Sequence, residues 1–312
     1  MKVLFVCSGN SSMGISPIIE NQANYLLQEG LEVDYYRIMG KGIKGYLKNI
    51  RPLRKYLQQQ SYDIVHAHYS LSAFCASMAG SQSLVVSLMG SDVKAGSIYR
   101  LLIKLFVFFY RWKAVIVKSE DMRLSLGIKK TVVIPNGVNM EIFRPMDKLA
   151  CQQQLDWDSS KKHILFPAHP QRYEKNYTLA ETALQIINNP NIRLHYFDNL
   201  AHTQTPIWYN AADMVLLTSL WEGSPNAIKE AMACARPIVC TPVGDVAWLF
   251  DQVEGCYLSS FQATELATDI QKALAYIGTI ESRKKLLSLQ IDSQSIAKKI
   301  KMLYMQYDTS VK

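Results

Sequence analysis

Two glutamates, Glu222 and Glu230, stand eight residues apart on either side of a turn with the features of a phosphate site. The turn follows the apolar run Met214–Leu217, which is typical of a buried parallel strand, and it leads into a helical pattern. The start of a helix presents backbone N–H groups to an anion, most often a phosphate. A carboxylate beside such a site accepts hydrogen bonds from neutral donors, of which sugar hydroxyls are the obvious candidates. The pattern therefore favours a ligand that contains both a phosphate and a sugar.

The helix after this strand is predicted from its own residues. Ser224 is a favoured N-cap residue, and Pro225 suits the first helical position because it has no N–H group to leave unpaired. Apolar residues then recur at helical spacing, at Ala227, Ile228, Ala231 and Met232. The predicted binding turn consists of Gly223, Ser224, Pro225 and Asn226. An ordinary strand–turn–helix unit with surface glutamates is the alternative interpretation.

The wider sequence around the two glutamates resembles a known family. Glu222-Gly-x-Pro is followed by Glu230-Ala-Met-Ala-Cys, then by Arg236-Pro-Ile-Val and Pro242-Val-Gly244. This run is similar to the Glu-x7-Glu region of the family-four retaining glycosyltransferases, and weaker matches extend from about Val3 to Gly255. The resemblance implies an α/β protein with the GT-B fold, in which two Rossmann-like domains with parallel sheets face each other across a cleft that holds a nucleotide-sugar.

A chain of 312 residues is long enough for two α/β domains. We expect residues 1–145 to form the acceptor-side domain and residues 146–292 to form the domain that binds the nucleotide-sugar. The last helix of this fold commonly packs on the first domain, so residues 293–312 are expected to return to it.

The resemblance also implies which residues hold the donor. Arg172 and Lys175 lie in a loop after a predicted strand and correspond to the family's two cations at the donor diphosphate. Cations there stabilise the negative charge that grows on the leaving group. Glu230 is expected to bind the ribose hydroxyls, and Glu222 is expected to hold the sugar together with the turn amides. A solvated pair of loop cations is the alternative for Arg172 and Lys175.

Three further candidates lie in the first half of the chain. Gly14 matches the second of two paired glycines in the family, and a glycine there lets the backbone approach a phosphate or the acceptor closely. Met89-Gly90-Ser91-Asp92 stands where the family usually has His-Gly-x-Asp. Met89 therefore replaces the histidine that contacts the donor sugar, whereas Gly90 is retained. This replacement is the main departure from the family pattern.

We expect no metal and no cofactor, the nucleotide-sugar being a donor substrate. The six cysteines show no Cys-x-x-Cys spacing, and several lie in apolar runs, which indicates reduced cysteines of a cytoplasmic protein. Asp156-Trp157-Asp158 matches a metal-binding pattern of another class of glycosyltransferase, but no predicted strand precedes it.

Positive charge is concentrated in one part of a chain whose net charge is +8. Residues 35–119 contain 13 Lys or Arg and two acids, which indicates an anionic partner. The sequence has no nucleic-acid motif, so a nucleic-acid partner is not expected. Residues 41–57 form a basic amphipathic segment and residues 98–110 an apolar one with a narrow cationic stripe, and both suit an anionic membrane surface. A solvated basic helix and a buried apolar helix are the alternatives.

These features together predict a metal-independent, retaining glycosyltransferase that moves a sugar from a nucleotide-sugar to a saccharide or lipid-linked acceptor, in the synthesis of a surface polysaccharide or glycolipid. We expect it to be cytoplasmic and bound peripherally to the inner face of the cell membrane. Two alternatives remain open. One is another GT-B enzyme, a nucleotide-sugar 2-epimerase, and the other is a non-catalytic nucleotide-sugar-binding protein, which the presence of Met89 in place of the histidine makes conceivable.

Overall fold

The computed structural model describes residues 1–10, 14–94 and 96–307, apart from the side chain of Lys94. The chain forms two compact units, of which the first is Met1–Gly137 with the segment that begins at Ser293, and the second is Val138–Asp292. Each unit contains one parallel β-sheet, so the predicted α/β class with two parallel sheets is confirmed. Residues 308–312, the end of the segment predicted to return to the first domain, lie outside the described residues.

The first unit alternates between strands and helices along most of its length. Its elements are β1 (Lys2–Ser8), α1 (Pro17–Gln28), β2 (Glu32–Ile38), α2 (Gly42–Lys48), α3 (Ile50–Gln59), β3 (Ile64–His68), α4 (Ser70–Ala79), β4 (Leu84–Ser87), α5 (Ser91–Lys94), α6 (Ser97–Phe109), β5 (Ala114–Val117), α7 (Glu120–Leu126) and β6 (Thr131–Val133). The sheet order is β2-β1-β3-β4-β5-β6. β3, β4 and β5 are buried along their whole length, as expected for a parallel sheet covered on both faces.

The second unit has the same alternation with five strands. Its elements are α8 (Lys148–Gln154), β7 (Lys162–Phe166), α9 (Tyr177–Ile187), β8 (Ile192–Tyr196), α10 (Thr205–Ala211), β9 (Met214–Leu217), α11 (Asn226–Ala233), β10 (Ile238–Cys240), α12 (Val246–Phe250), β11 (Cys256–Leu258), α13 (Ala263–Ala275) and α14 (Ser282–Ser288). The sheet order is β11-β10-β9-β7-β8. The chain leaves β7 toward β8 on one side and returns to β9 on the other, which makes the gap between β7 and β9 a topological switch point. Ligands of open α/β sheets bind outside the carboxyl ends of strands at such points.

The last helix, α15 (Ser293–Met305), belongs to the first unit. Its Ser293 Oγ accepts a hydrogen bond of 2.7 Å from Asn21 Nδ2 on α1. Near its other end the buried Tyr304 hydroxyl lies 2.5 Å from Nδ1 of His66 on β3. A buried phenol and a buried imidazole each need a partner, so this contact stabilises the helix on the first sheet.

The basic segment 41–57 contains two helices. α2 ends at Lys48 and α3 begins at Ile50, which leaves Pro52 in the first turn of α3, where its missing N–H group costs little. The two helices also differ in the burial of their apolar residues, because Leu53 on α3 is buried whereas Ile43 on α2 is 67% exposed.

Helix α6 exposes a large apolar face. Ile103 is fully buried, and Phe106 packs against the core. The opposite face carries six apolar side chains that are between 40% and 77% exposed: Ile98, Leu101, Leu102, Leu105, Phe108 and Phe109. The interpretation of residues 98–110 as a buried apolar helix is therefore wrong. No helix within the described residues is long and apolar enough to cross a membrane.

Candidate functional site

The loops that follow β7 and β9 meet through an ion pair at the switch point of the second unit. Lys175 ends a short 3₁₀ turn after β7, and Glu222 lies in the loop after β9. The Lys175 ammonium donates to Glu222 Oε1, and the side chains are only 10% and 17% exposed. Ser219 Oγ also donates to Oε1, at 2.9 Å. The pair thus places one cation and one carboxylate at the sheet edge where a ligand is expected.

Arg172 does not join this pair. Its guanidinium contacts the Glu174 carboxylate, with Nε 2.9 Å from Oε1, and its side chain is 57% exposed. The backbone of Glu174 accepts a hydrogen bond of 2.8 Å from the amide of Leu220, which ties the two loops together. Arg172 and Lys175 therefore lie in one loop but face different carboxylates.

Glu230 on α11 is held by two residues that the sequence did not suggest. Its Oε1 lies 3.1 Å from His202 Nε2, and its Oε2 accepts a hydrogen bond of 2.8 Å from the buried Tyr209 hydroxyl. The hydrogen bond to Glu230 raises the pKa of His202, although burial opposes the rise. The carboxylate is thereby fixed in one orientation while its side chain keeps 12% exposure. His202 and Tyr209 come from other elements, and no spacing in the sequence signals the contact.

The start of α11 differs from the prediction. The N-cap residue is Pro225 and the helix begins at Asn226, so the expected Ser224 cap is wrong. Ser224 Oγ instead accepts a hydrogen bond of 3.1 Å from Nζ of Lys229, which is 1% exposed. No side chain caps the first turn of α11 in the described part of the chain. The turn thus keeps the character of an anion-binding helix start.

The loop after β10 packs against this turn. Gly244, with φ +57°, lies so close that a Cβ atom there would be 2.6 Å from the carbonyl oxygen of Gly223. Only glycine fits both the backbone conformation and the contact. Thr241 Oγ1 in the same loop donates to the Ser219 carbonyl at 2.7 Å. The residues after β10 therefore fix the backbone that carries Glu222.

The remaining candidates, Gly14, Met89 and Gly90, lie in the first unit. Gly14 has φ +80°, and a Cβ atom there would meet nothing within 4 Å, so its backbone conformation rather than a close contact requires glycine. The amides of Met89 and Gly90 both donate to Oδ1 of Asp92 at 3.0 Å. Asp92 is buried, which raises the pKa of its carboxyl, while the amide hydrogen bonds oppose the rise. Asp92 thus fixes the turn, and the Met89 side chain is half-buried.

Within residues 1–10, 14–94 and 96–307, no group of three or more His, Cys, Asp or Glu side chains is placed to hold a metal ion.

Two family models match separate parts of the chain. Residues 14–142 match Glycosyltransferase Family 4, and residues 171–276 match Glycosyl transferases group 1. The chain is 25% identical over 285 residues to a provisionally assigned teichuronic acid biosynthesis glycosyltransferase of Bacillus subtilis, which covers 80% of this chain and 72% of that protein. It is 26% identical over 245 residues to an Escherichia coli UDP-Gal:α-D-GlcNAc-diphosphoundecaprenol α-1,3-galactosyltransferase, covering 63% of this chain and 62% of that one.

Solved structures share the fold over nearly the whole chain. Sucrose-phosphate synthase of Thermosynechococcus elongatus superimposes with a TM-score of 0.78 at 18% identity, covering 98% of this chain and 99% of that one. The Anabaena protein HepE in complex with UDP gives a TM-score of 0.72 at 17% identity, covering 98% and 100%. The fold and the family models together define the class as a GT-B glycosyltransferase. The chain belongs to glycosyltransferase family four.

Proposed function

We propose that this glycosyltransferase is a retaining enzyme that moves a sugar from a nucleoside diphosphate donor to a saccharide or lipid-linked acceptor. The observation that carries the proposal is the Lys175–Glu222 ion pair at the switch point of the second sheet. One cation suited to a diphosphate and one carboxylate suited to sugar hydroxyls stand there together.

Donor binding would exchange the partners of this pair. The Lys175 ammonium would leave Glu222 for a diphosphate oxygen, and the freed carboxylate would accept hydrogen bonds from the sugar. Both side chains are largely buried, so neither charge can be left without a partner at low cost. A donor that carries both a diphosphate and a sugar supplies the two replacements at once, whereas a nucleotide or a sugar alone supplies one.

The nucleoside end of the donor would bind at Glu230. Its carboxylate, oriented by His202 and Tyr209, has lone pairs left to accept from two ribose hydroxyls. UDP as the nucleotide is supported by the UDP bound in HepE and by the UDP-Gal named for the E. coli relative. The uncapped start of α11 would take a phosphate through its amides.

Transfer would depend on charge stabilisation rather than on a covalent intermediate. Lys175 and Arg172 would offset the negative charge that grows on the diphosphate as the bond to the sugar breaks. An oxygen of the departing diphosphate would then take the proton of the acceptor hydroxyl while the hydroxyl oxygen bonds to the anomeric carbon on the same face of the sugar, which retains the anomeric configuration. With two protein cations at the diphosphate, the reaction would need no metal ion.

The acceptor would be reached at the inner face of the cell membrane. The exposed apolar face of α6 borders the cations Arg100 and Lys104, which lie on an adjacent stripe of the same helix. An apolar face that enters the interface and cations that meet anionic headgroups are the two elements of peripheral membrane binding. A lipid-linked acceptor agrees with the diphosphoundecaprenol named for the E. coli relative, and surface polysaccharide or glycolipid synthesis is the corresponding role.

A transfer assay over a panel of nucleotide-sugars, with and without an alkyl-diphosphate-linked saccharide and with EDTA, tests the proposal. We expect a glycosylated product only with the acceptor and undiminished by EDTA. An epimerised nucleotide-sugar formed without acceptor would indicate the 2-epimerase instead. Binding without turnover across the panel would indicate the non-catalytic binder.

A further inference from the structure

Behind the binding turn of the second unit lies a buried charge that the proposed reaction does not use. Lys229 is among the largest fully buried side chains of the protein, although it is a lysine on the helix that begins at the turn. Burial lowers the pKa of Lys229 to about 8, so the group is still mostly protonated at neutral pH. A buried ammonium is costly unless it is paired, so a buried lysine at this position needs an explanation.

Two groups that stabilise Lys229 lie on the loops after β9 and β10. Its Nζ donates to the hydroxyl of Ser224 at 3.1 Å. Asp245, on the loop after β10, is close enough that its charge stabilises the ammonium. The Asp245 oxygens are both buried, and neither makes a hydrogen bond of good geometry with the described residues. Burial raises the pKa of the Asp245 carboxyl, while the Lys229 charge and the nearby Ser224 hydroxyl oppose the rise. Because the same loop contacts the backbone at Gly223, these residues form one support beneath the turn.

We propose that Lys229 is a positioning residue for the donor diphosphate, which orients the Ser224 hydroxyl and gives the turn at the start of α11 a fixed positive charge balanced by Asp245. The inference rests on the proposed function, because it assumes that a diphosphate binds at this turn. In this arrangement Lys175 binds the diphosphate from the solvent side, while Lys229 acts from within the unit through Ser224.

Calorimetric titration with matched ligands tests the inference. UDP, GDP, CDP and TDP identify the nucleoside diphosphate that wild-type protein binds most tightly, and the corresponding nucleoside measures the part of the site that lacks phosphate. Lys229→Met should weaken the diphosphate about 10-fold or more and leave the nucleoside within about twofold. Lys229→Gln, which keeps a donor for Ser224 without the charge, should fall between wild type and Lys229→Met. Lys284→Met, at a lysine whose side chain is 75% exposed, is the matched control and should change neither affinity.

The double variant Lys229→Met/Asp245→Asn separates positioning from folding. It removes both buried charges, so the thermal stability lost in Lys229→Met should return, whereas the loss of diphosphate affinity should persist. Recovery of both stability and affinity would show that the pair is only structural and would overturn the inference. Equal losses for diphosphate and nucleoside in Lys229→Met would overturn it as well. If wild type binds none of the four diphosphates, the proposed donor site itself is wrong, which distinguishes that failure from the failure of Lys229 alone.

Discussion

Lys175 and Glu222 come from loops after two strands that are neighbours in the sheet but 47 residues apart in the chain, and their side chains form a largely buried ion pair. The pair exists because β7 and β9 flank the point where the strand order reverses. Of the two cations implied by the family resemblance, Lys175 is therefore expected to matter more for catalysis than Arg172, because Arg172 is exposed and pairs with Glu174 instead.

The first prediction concerns this difference between the cations. Lys175→Met should lower kcat by about 10²–10³, because a cation held at the growing charge is lost from a water-poor site. Arg172→Met should cost less, because the Arg172 side chain is 57% exposed and its charge is screened by solvent. Steady-state kinetics of both variants measure the effects, with Lys284→Met as the surface control. Equal losses in the two variants, or none in Lys175→Met, would contradict the exchange of partners at Glu222.

The second prediction concerns Glu230. Glu230→Gln should weaken binding of the free nucleoside as well as the nucleoside diphosphate, by about 10- to 150-fold, because charge-assisted hydrogen bonds to the ribose are lost. Titration of nucleoside and diphosphate into wild type and variant measures both. Unchanged nucleoside affinity would show that the ribose binds elsewhere.

The third prediction concerns the pH dependence of the His202–Glu230 contact. The hydrogen bond to Glu230 raises the pKa of His202 above its ordinary value of 6.5, so the folded protein favours protonated His202. The stability that this contributes is fully present below pH 6.5 and is lost as the pH rises through the raised pKa. The Tm difference between wild type and His202→Gln should therefore be largest below pH 6.5 and should shrink as the pH rises above it. In a Glu230→Gln background the difference should be independent of pH.

The fourth prediction concerns Gly244. Gly244→Ala combines an unfavourable positive φ with a clash against the Gly223 carbonyl, and it should cost about 2 kcal/mol or more of unfolding free energy. Gly80→Ala has a similar positive φ but open space around its Cβ, so it should cost only about 1 kcal/mol. Denaturant unfolding measures the unfolding free energy of both variants. Equal losses would mean that the contact between Gly244 and the Gly223 carbonyl is not tight.

The fifth prediction concerns the membrane. Replacing Leu105, Phe108 and Phe109 with Ser should abolish flotation with anionic vesicles at low salt, because the exposed apolar face of α6 is lost. Neutralising Lys44, Lys48, Arg51 and Lys55 together should weaken it by about 1 kcal/mol for each cation that reaches the headgroups. Lys118 cannot contribute, since its side chain is buried. Ile277→Ser, at a fully exposed apolar residue of the second unit, is the control. If wild-type protein does not bind anionic vesicles, the membrane proposal is wrong, and the partner of the basic residues would be a soluble anionic acceptor.

The elements that position the site could be predicted where local sequence determines them. The strand at Met214–Leu217 is a continuous apolar run, and it has the predicted bounds. Ser224 shows the limit of such reasoning. Its hydroxyl was expected to cap the helix, but it accepts a hydrogen bond from the buried Lys229 one turn later. His202 and Asp245 reach the site through tertiary contacts, which no local pattern encodes. For Lys229 the sequence spacing did indicate burial, because Lys229 stands three residues before Met232, one of the apolar residues of the predicted helix.

The family resemblance implies that Met89 replaces a histidine that contacts the donor sugar, which leads to a prediction about the sugar that is transferred. A thioether cannot donate a hydrogen bond and accepts only weakly, so the site should favour a donor that lacks the hydroxyl a histidine would bind, such as a 6-deoxy sugar. Met89→His should reverse the preference, as measured by kcat/KM for a sugar and its deoxy analogue. A strong wild-type preference for the hydroxylated donor would refute this assignment.

The stereochemistry of the first-formed product tests the central claim most directly. Nuclear magnetic resonance of the early reaction mixture reads the anomeric configuration before any equilibration, with the best nucleotide-sugar and a saccharide acceptor. A retaining enzyme that uses the Lys175–Glu222 site should give a product with the donor's own anomeric configuration, formed much more slowly by Lys175→Met. An inverted product, or a retained product formed equally fast by Lys175→Met, would contradict it.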